Sequence, residues 1–187
     1  ERAGSQELSD YFQKQIDRVK EKRQLIAERI QVATSMTAED QMSYYSTWHF
    51  AAVHVMLLVP QWRTPQAIAH HLHVPLVKVE EVLEFLSRTG LAEERNGEFT
   101  AGKARIHLGK DSPILPRHHA NWRLRAQDAM DRQAAEDLFY SGPLCLSEAD
   151  AKRVKELVLK LLEEKEKIVA PSPEETVFCL NVDFFRL

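Results

Sequence analysis

The spacing of apolar residues changes period several times along this chain, and each change predicts an element. From Ser5 to about Gln31, Phe12, Ile16, Val19, Ile26 and Ile30 recur at intervals of 4, 3, 7 and 4, and the vacant heptad position is Arg23. Intervals of three and four put side chains on one helical face, so a long amphipathic helix with a narrow stripe is expected. Such a stripe either packs on the domain behind it or joins two chains. These five residues are therefore the candidates for dimerisation, although the pattern spans fewer heptads than a firm coiled coil.

After a polar break at Thr34–Asp40 comes "MSYYSTWHFAAVHVMLLVPQW", dense in apolar residues. It predicts one mostly buried helix from about Asp40 to Leu58, stopped by Pro60. In "TPQAIAHHL", Thr64 is a candidate N-cap and Pro65 suits the first helical position, predicting a short helix over Pro65–Leu72. "HVP" makes a tight turn. A third helix is expected over Leu76–Thr89, with Gly90 as its stop. Asn96-Gly97 within "LAEERNGEFTA" is the strongest short hairpin signal. Helix, short helix, turn, helix, hairpin is the order of a winged helix-turn-helix.

Further on, Gly102–Pro116 reads as loop and His118–Gln133 as helix. Leu138–Leu146 reads as a strand interrupted by Gly142-Pro143. Ser147 with Asp150 marks the start of a helix reaching about Val169, with Val154, Leu157, Val158 and Leu161 as its buried stripe. The closing "TVFCLNVDFFRL" alternates, with Phe178, Leu180, Val182 and Phe184 on one face of an expected half-buried strand. If those strands are neighbours, they are parallel, joined by a right-handed crossover. The expected fold is thus α+β and mostly α: a linker or dimerisation helix over 1–36, a winged helix over 37–105 and a small strand-helix-strand unit over 106–187.

Composition narrows the role. The chain has 187 residues, 44% of them apolar, and a net charge of −3. A sizeable core is therefore expected, and a generally nucleic-acid-binding surface is not. The longest apolar run, near Phe50–Pro60, falls short of the ~20 residues of a membrane span, and no signal peptide is visible. Cys145 and Cys179 make no disulfide framework and have no zinc-ligand spacing, so a reduced cytoplasmic protein is expected, with the two thiols buried on neighbouring strands. The chain opens at Glu1 rather than Met, which suggests a fragment with residues upstream.

Local charge then bears on DNA. On the third helix Val79, Val82, Leu83 and Leu86 follow the core spacing, leaving Val77, Glu81, Glu84 and Arg88 opposite. DNA affinity comes mostly from Lys and Arg neutralising phosphates. Two carboxylates here, with Glu93, Glu94 and Glu98 against Arg95 in the hairpin, argue against groove reading by this face. The segment after the hairpin differs: Lys103, Arg105, Lys110, Arg117, Arg123 and Arg125 stand against Asp111 alone, with Trp122 among them. Interleaved basic and aromatic residues can bind nucleic acid. They can equally pair with the chain's own acids or a dimer partner's.

Other chemistries find less support. His70 and His73 share a helical face, but no carboxylate or Cys is placed nearby, so no metal is expected. There is no phosphate loop, nucleophile elbow or HExxH motif, and neither catalytic residues nor a cofactor are expected.

Three stretches carry a resemblance: "YYSTWHFAAVHVML", the pair "AIAHHLHV" and "VEEVLEFLSRTGL", and "VFCLNVDFFRL" following "LFYSGPLCLSEAD". From about Tyr44 to Leu187 the chain resembles a bacterial domain-of-unknown-function family, rich in paralogues in predatory bacteria. The resemblance implies a transcriptional regulator whose members often carry a repressor-type helix-turn-helix ahead of this region. It implies no catalytic residues. The family's usual Phe-Pro-Leu ending is Phe185-Arg186-Leu187 here. The expected role is therefore a homodimeric regulatory region that binds a partner chain or small ligand, not DNA through the third helix. Direct nucleic-acid binding through the basic stretch is the alternative, and an enzyme with an unrecognised site is a third.

Overall fold

The structure, a computed structural model, describes residues 36–106 and 112–187. The dimerisation candidates Phe12, Ile16, Val19, Ile26 and Ile30 lie outside the described residues, as does Lys110. Among the described residues the chain is mostly helical with one two-stranded antiparallel sheet.

The apolar segment expected as a single helix is two: α1 (Ala38–Ser46) and α2 (Trp48–Met56). Thr47 between them is extended, at φ −138° and ψ 160°. The Ser46 hydroxyl donates to the Ser43 carbonyl at 2.7 Å, offering the backbone a local partner in place of the helical ladder. Tyr44 and Tyr45 are adjacent, about 100° apart on a helix, yet both are buried, Tyr44 against His54 and Tyr45 against His118.

A 3₁₀ turn (Pro60–Trp62) leads to α3 (Pro65–Leu72), where the Thr64 side chain caps the Ala67 N–H at 3.3 Å. His73 closes α3 in the left-handed region, and the Val74 N–H returns to the Ala69 carbonyl at 3.1 Å. α4 (Leu76–Arg88) ends in the same way at Gly90, with the Leu91 N–H donating to the Leu86 carbonyl at 2.8 Å. Strands β1 (Ala92–Arg95) and β2 (Glu98–Ala101) pair antiparallel from Ala92↔Ala101 to Arg95↔Glu98. Asn96 and Gly97 both have positive φ, as a type I′ turn requires. Gly102 then passes so close to the Gly90 carbonyl that a Cβ there would collide with it. The hairpin is thereby tied back to the end of α4, with Gly102 N–H donating to Leu91 and Ala104 N–H to Gly90.

The core sits among α1 to α4 and the hairpin base. Ile68, Val82, Leu86 and Leu91 have no exposed surface, and Val53, Met56, Leu57, Val79 and Leu83 have almost none. α5 (Leu115–Arg132) lies against α1 and α2. Asn121 fastens it by donating to the Tyr45 carbonyl.

Beyond α5 the expected small α+β unit is not formed within the single chain. Helix α6 (Glu148–Val169) is present, with Ser147 capping the Asp150 N–H. However, neither Leu138–Leu146 nor residues 176–187 belong to any ladder, and among the described residues there is no parallel crossover. The stripe expected to be buried on α6 is not: Val154 and Val158 are half-buried, while Leu157 and Leu161 are exposed. Cys145 and Cys179, expected to be buried, are exposed. The physical reason lies in where the last segment goes. It runs along α5 and is held there by polar contacts, so it cannot also flank residues 138–146.

Candidate partner-binding cleft

The outer side of α4, the first turn of α3 and the hairpin enclose an open cleft of about 680 Å³. α4 contributes Glu80, Glu84, Ser87 and Arg88; the hairpin contributes Glu94 and Phe99; Pro65 and Gln66 close the other side. The arrangement follows from local rules. The core spacing of α4 turns Val79, Val82, Leu83 and Leu86 inward, so its polar residues are left to face the hairpin. The Phe99 N–H donates to the Arg63 carbonyl at 2.7 Å, which fixes the hairpin beside α3.

The cleft is acidic. Among the described residues that line it the one cation is Arg88, drawn aside by Asp40 of α1, with Nη2 donating to Oδ1 at 2.9 Å. Hydrogen bonds from Thr37 and then Arg88 hold the Asp40 carboxyl below its ordinary range. Lys78 on the neighbouring turn is paired with Glu81 at 2.9 Å. The Ser87 hydroxyl, buried in the cleft wall, has no hydrogen-bond partner. The expected outward set of Val77, Glu81, Glu84 and Arg88 is exposed. Glu80, Ser87 and Phe99 were missed as cleft residues, because a sequence gives no sign of where the hairpin will lie across α4. The Asp40–Arg88 pair was missed as well, since the two are 48 positions apart.

The basic stretch has a different disposition. Lys103 and Arg105 follow the hairpin, and Arg105 lines a second, smaller cleft of about 170 Å³ with His54 and Leu58. On α5, Arg117 Nε donates to the Ser46 carbonyl at 2.9 Å. Arg123 forks onto Asp183 of the last segment. Arg125 pairs with Asp128 at 2.8 Å and lies over the Trp48 ring, 4.2 Å from its centroid. At about 100° per residue, Arg123 points to a different side of α5 from Arg117 and Arg125. All three guanidiniums have partners within the chain, in part the chain's own acids.

Histidines serve the packing. His54 lies 2.9 Å from the Tyr44 hydroxyl, and burial, then the Arg105 charge, lowers its pKa. His49, stacked on Trp48, is lowered by burial and by Lys78 and Arg125; His118 is lowered by burial and by His119. Among the described residues no three His, Cys, Asp or Glu side chains converge as metal ligands would. No described helix is long and apolar enough to cross a membrane.

Comparison with known proteins places residues 29–187 in one family, described as a domain of unknown function (DUF4423). The match spans most of the chain, so the protein belongs to that family. No curated protein and no solved structure matches it.

Proposed function

We propose that this DUF4423 member is a homodimeric, transcription-related regulatory region with a winged helix that binds a partner or effector rather than DNA. In this reading α3 and α4 are the two helices of a helix-turn-helix and β1–β2 is the wing. The observation that carries it is the charge of the face between α4 and the wing. Glu80, Glu84 and Glu94 line it, while Arg88 and Lys78 are held by Asp40 and Glu81. Phosphates would meet carboxylates there, and the counterion release that drives DNA binding would be absent. The same field favours a cationic group, such as a Lys- or Arg-bearing segment of a partner.

Titrating fluorescent duplex DNA into the full chain at low salt tests the reading. We expect no retention by the wild type and new, salt-sensitive retention by Glu84→Lys/Glu94→Lys. Retention by the wild type that Arg117→Ala/Arg123→Ala weakens would support nucleic-acid binding through the basic stretch of Lys103–Arg125 instead.

A further inference from the structure

The last segment is built the wrong way round for a lone chain in water. Three of its odd-numbered residues face its own body, while Cys179 and Phe185 are exposed. Val177 packs on the core, Asn181 donates to the Trp122 carbonyl at 3.2 Å, and Asp183 accepts the fork of Arg123. The even-numbered residues between them are apolar and exposed to different degrees: Phe178 80%, Leu180 57%, Phe184 41% and Val182 37%, with Phe185 next to them at 74%. The segment before α6 matches it. Every residue from 135 to 150 is exposed, including Leu138, Tyr140 and Leu144. On α6, Leu157, Leu161 and Ile168 fall within about 40° of one another and are all more than half exposed.

We infer that a second copy of this chain covers this arm, residues 134–187. The two arms associate about a twofold axis, and segments 138–146 and 178–184 pair across the chains into the sheet that neither forms alone. This rests on the homodimer of the preceding reading and names its surface. Area is the first argument. Summed over the whole arm, the exposed large apolar residues present about 2,000 Å² per chain, more than the about 800 Å² per partner that a standard interface takes, so a second copy needs to cover only part of them. Backbone pairing is the second. No backbone–backbone hydrogen bond joins 138–146 or 178–184 to the rest of the described chain; 178–184 has a strand-like sequence, and Gly142-Pro143 restricts pairing in 138–146 to an edge or to the residues on either side. Charge is the third. α6 carries six acids and six bases interspersed, so two copies meet without net repulsion. A helix that lies on lipid would have a polar face rich in Lys and Arg.

The full chain in analytical ultracentrifugation is expected to sediment as a dimer of twice its 21.5 kDa. Leu180→Asp/Phe184→Asp alters exposed side chains, so it is expected to give a monomer of unchanged helical circular dichroism. Ile16→Asp/Val19→Asp is expected to leave a dimer. A dimer that survives the arm substitutions and is lost with the amino-terminal ones overturns the arm interface while keeping the homodimer. A wild-type monomer at high concentration overturns both, whatever other partner or vesicle the arm is then found to bind.

Discussion

Helices α4 and α6 are both amphipathic, both have clear apolar stripes, and they end in opposite situations. In α4 the stripe of Val79, Val82, Leu83 and Leu86 is wholly buried against α2, α3 and the hairpin. In α6 Leu157, Leu161 and Ile168 face outward, and the helix packs extensively on no other described element. The core of the module from α1 to β2 is closed within the chain, with α5 and Val177 of the last segment packed against it. Most large apolar residues of the arm after α5 are left exposed. Periodicity reports which face of an element must be covered, but carries no information about whose atoms cover it.

The strongest way to break that contrast is to make the same deletion in both regions. Leu86→Ala should lower unfolding stability by about 2–5 kcal/mol, because it leaves a cavity where nothing is exposed. Leu161→Ala should leave the monomer within about 0.5 kcal/mol, because the residue touches mostly water. Denaturant titration of the two variants in a dilute, dissociated chain checks this, and equal losses would erase the distinction. Next, Gly102→Ala should cost about 1–3 kcal/mol, since the added Cβ meets the Gly90 carbonyl and must part the hairpin from the end of α4. A silent substitution would mean that the tie is not needed. Thr64→Ala should cost about 1 kcal/mol through the lost cap of α3.

Acid sharpens the contrast with a smaller effect. Burial lowers the pKa of His54 in the folded chain below its ordinary value of 6.5. The unfolded chain therefore takes up the proton first as pH falls. The contribution of a neutral His54 is complete above pH 6.5, declines below it and levels off once the folded pKa is passed. The thermal midpoint of the module should fall between pH 7.5 and pH 5.5, and less steeply in His54→Gln. Identical pH profiles for the two chains would remove His54 from the account.

Where local chemistry decides, the fold was legible in the sequence. Thr64 and Pro65 start α3, Gly90 ends α4 and Asn96-Gly97 turns the hairpin, because each acts through its own backbone angles or, for Thr64, a cap on a neighbouring N–H. What was not legible depends on distant partners. The α1–α2 break falls inside an apolar run that gives no sign of it, at an extended Thr47 beside a Ser46 hydroxyl bonded to the Ser43 carbonyl. The segment expected as a strand at 176–187 has the right alternation, and that at 138–146 is interrupted by Gly142-Pro143; a ladder needs two strands, and here Asp183 and Asn181 bind the last segment to α5 instead. For the cleft, the carboxylates of α4 were visible in its outward spacing, whereas the withdrawal of Arg88 by Asp40 was not.

The central claim is that the module is complete in one chain and the arm only in two, and amide hydrogen exchange across a dilution series tests it most directly. Amides of α4 and β1–β2 should be protected equally at every concentration, while amides of 138–146 and 178–184 should be protected when concentrated and exchange freely when dilute. Protection of the arm that does not change with dilution, or its absence even at the highest concentration, would contradict the account.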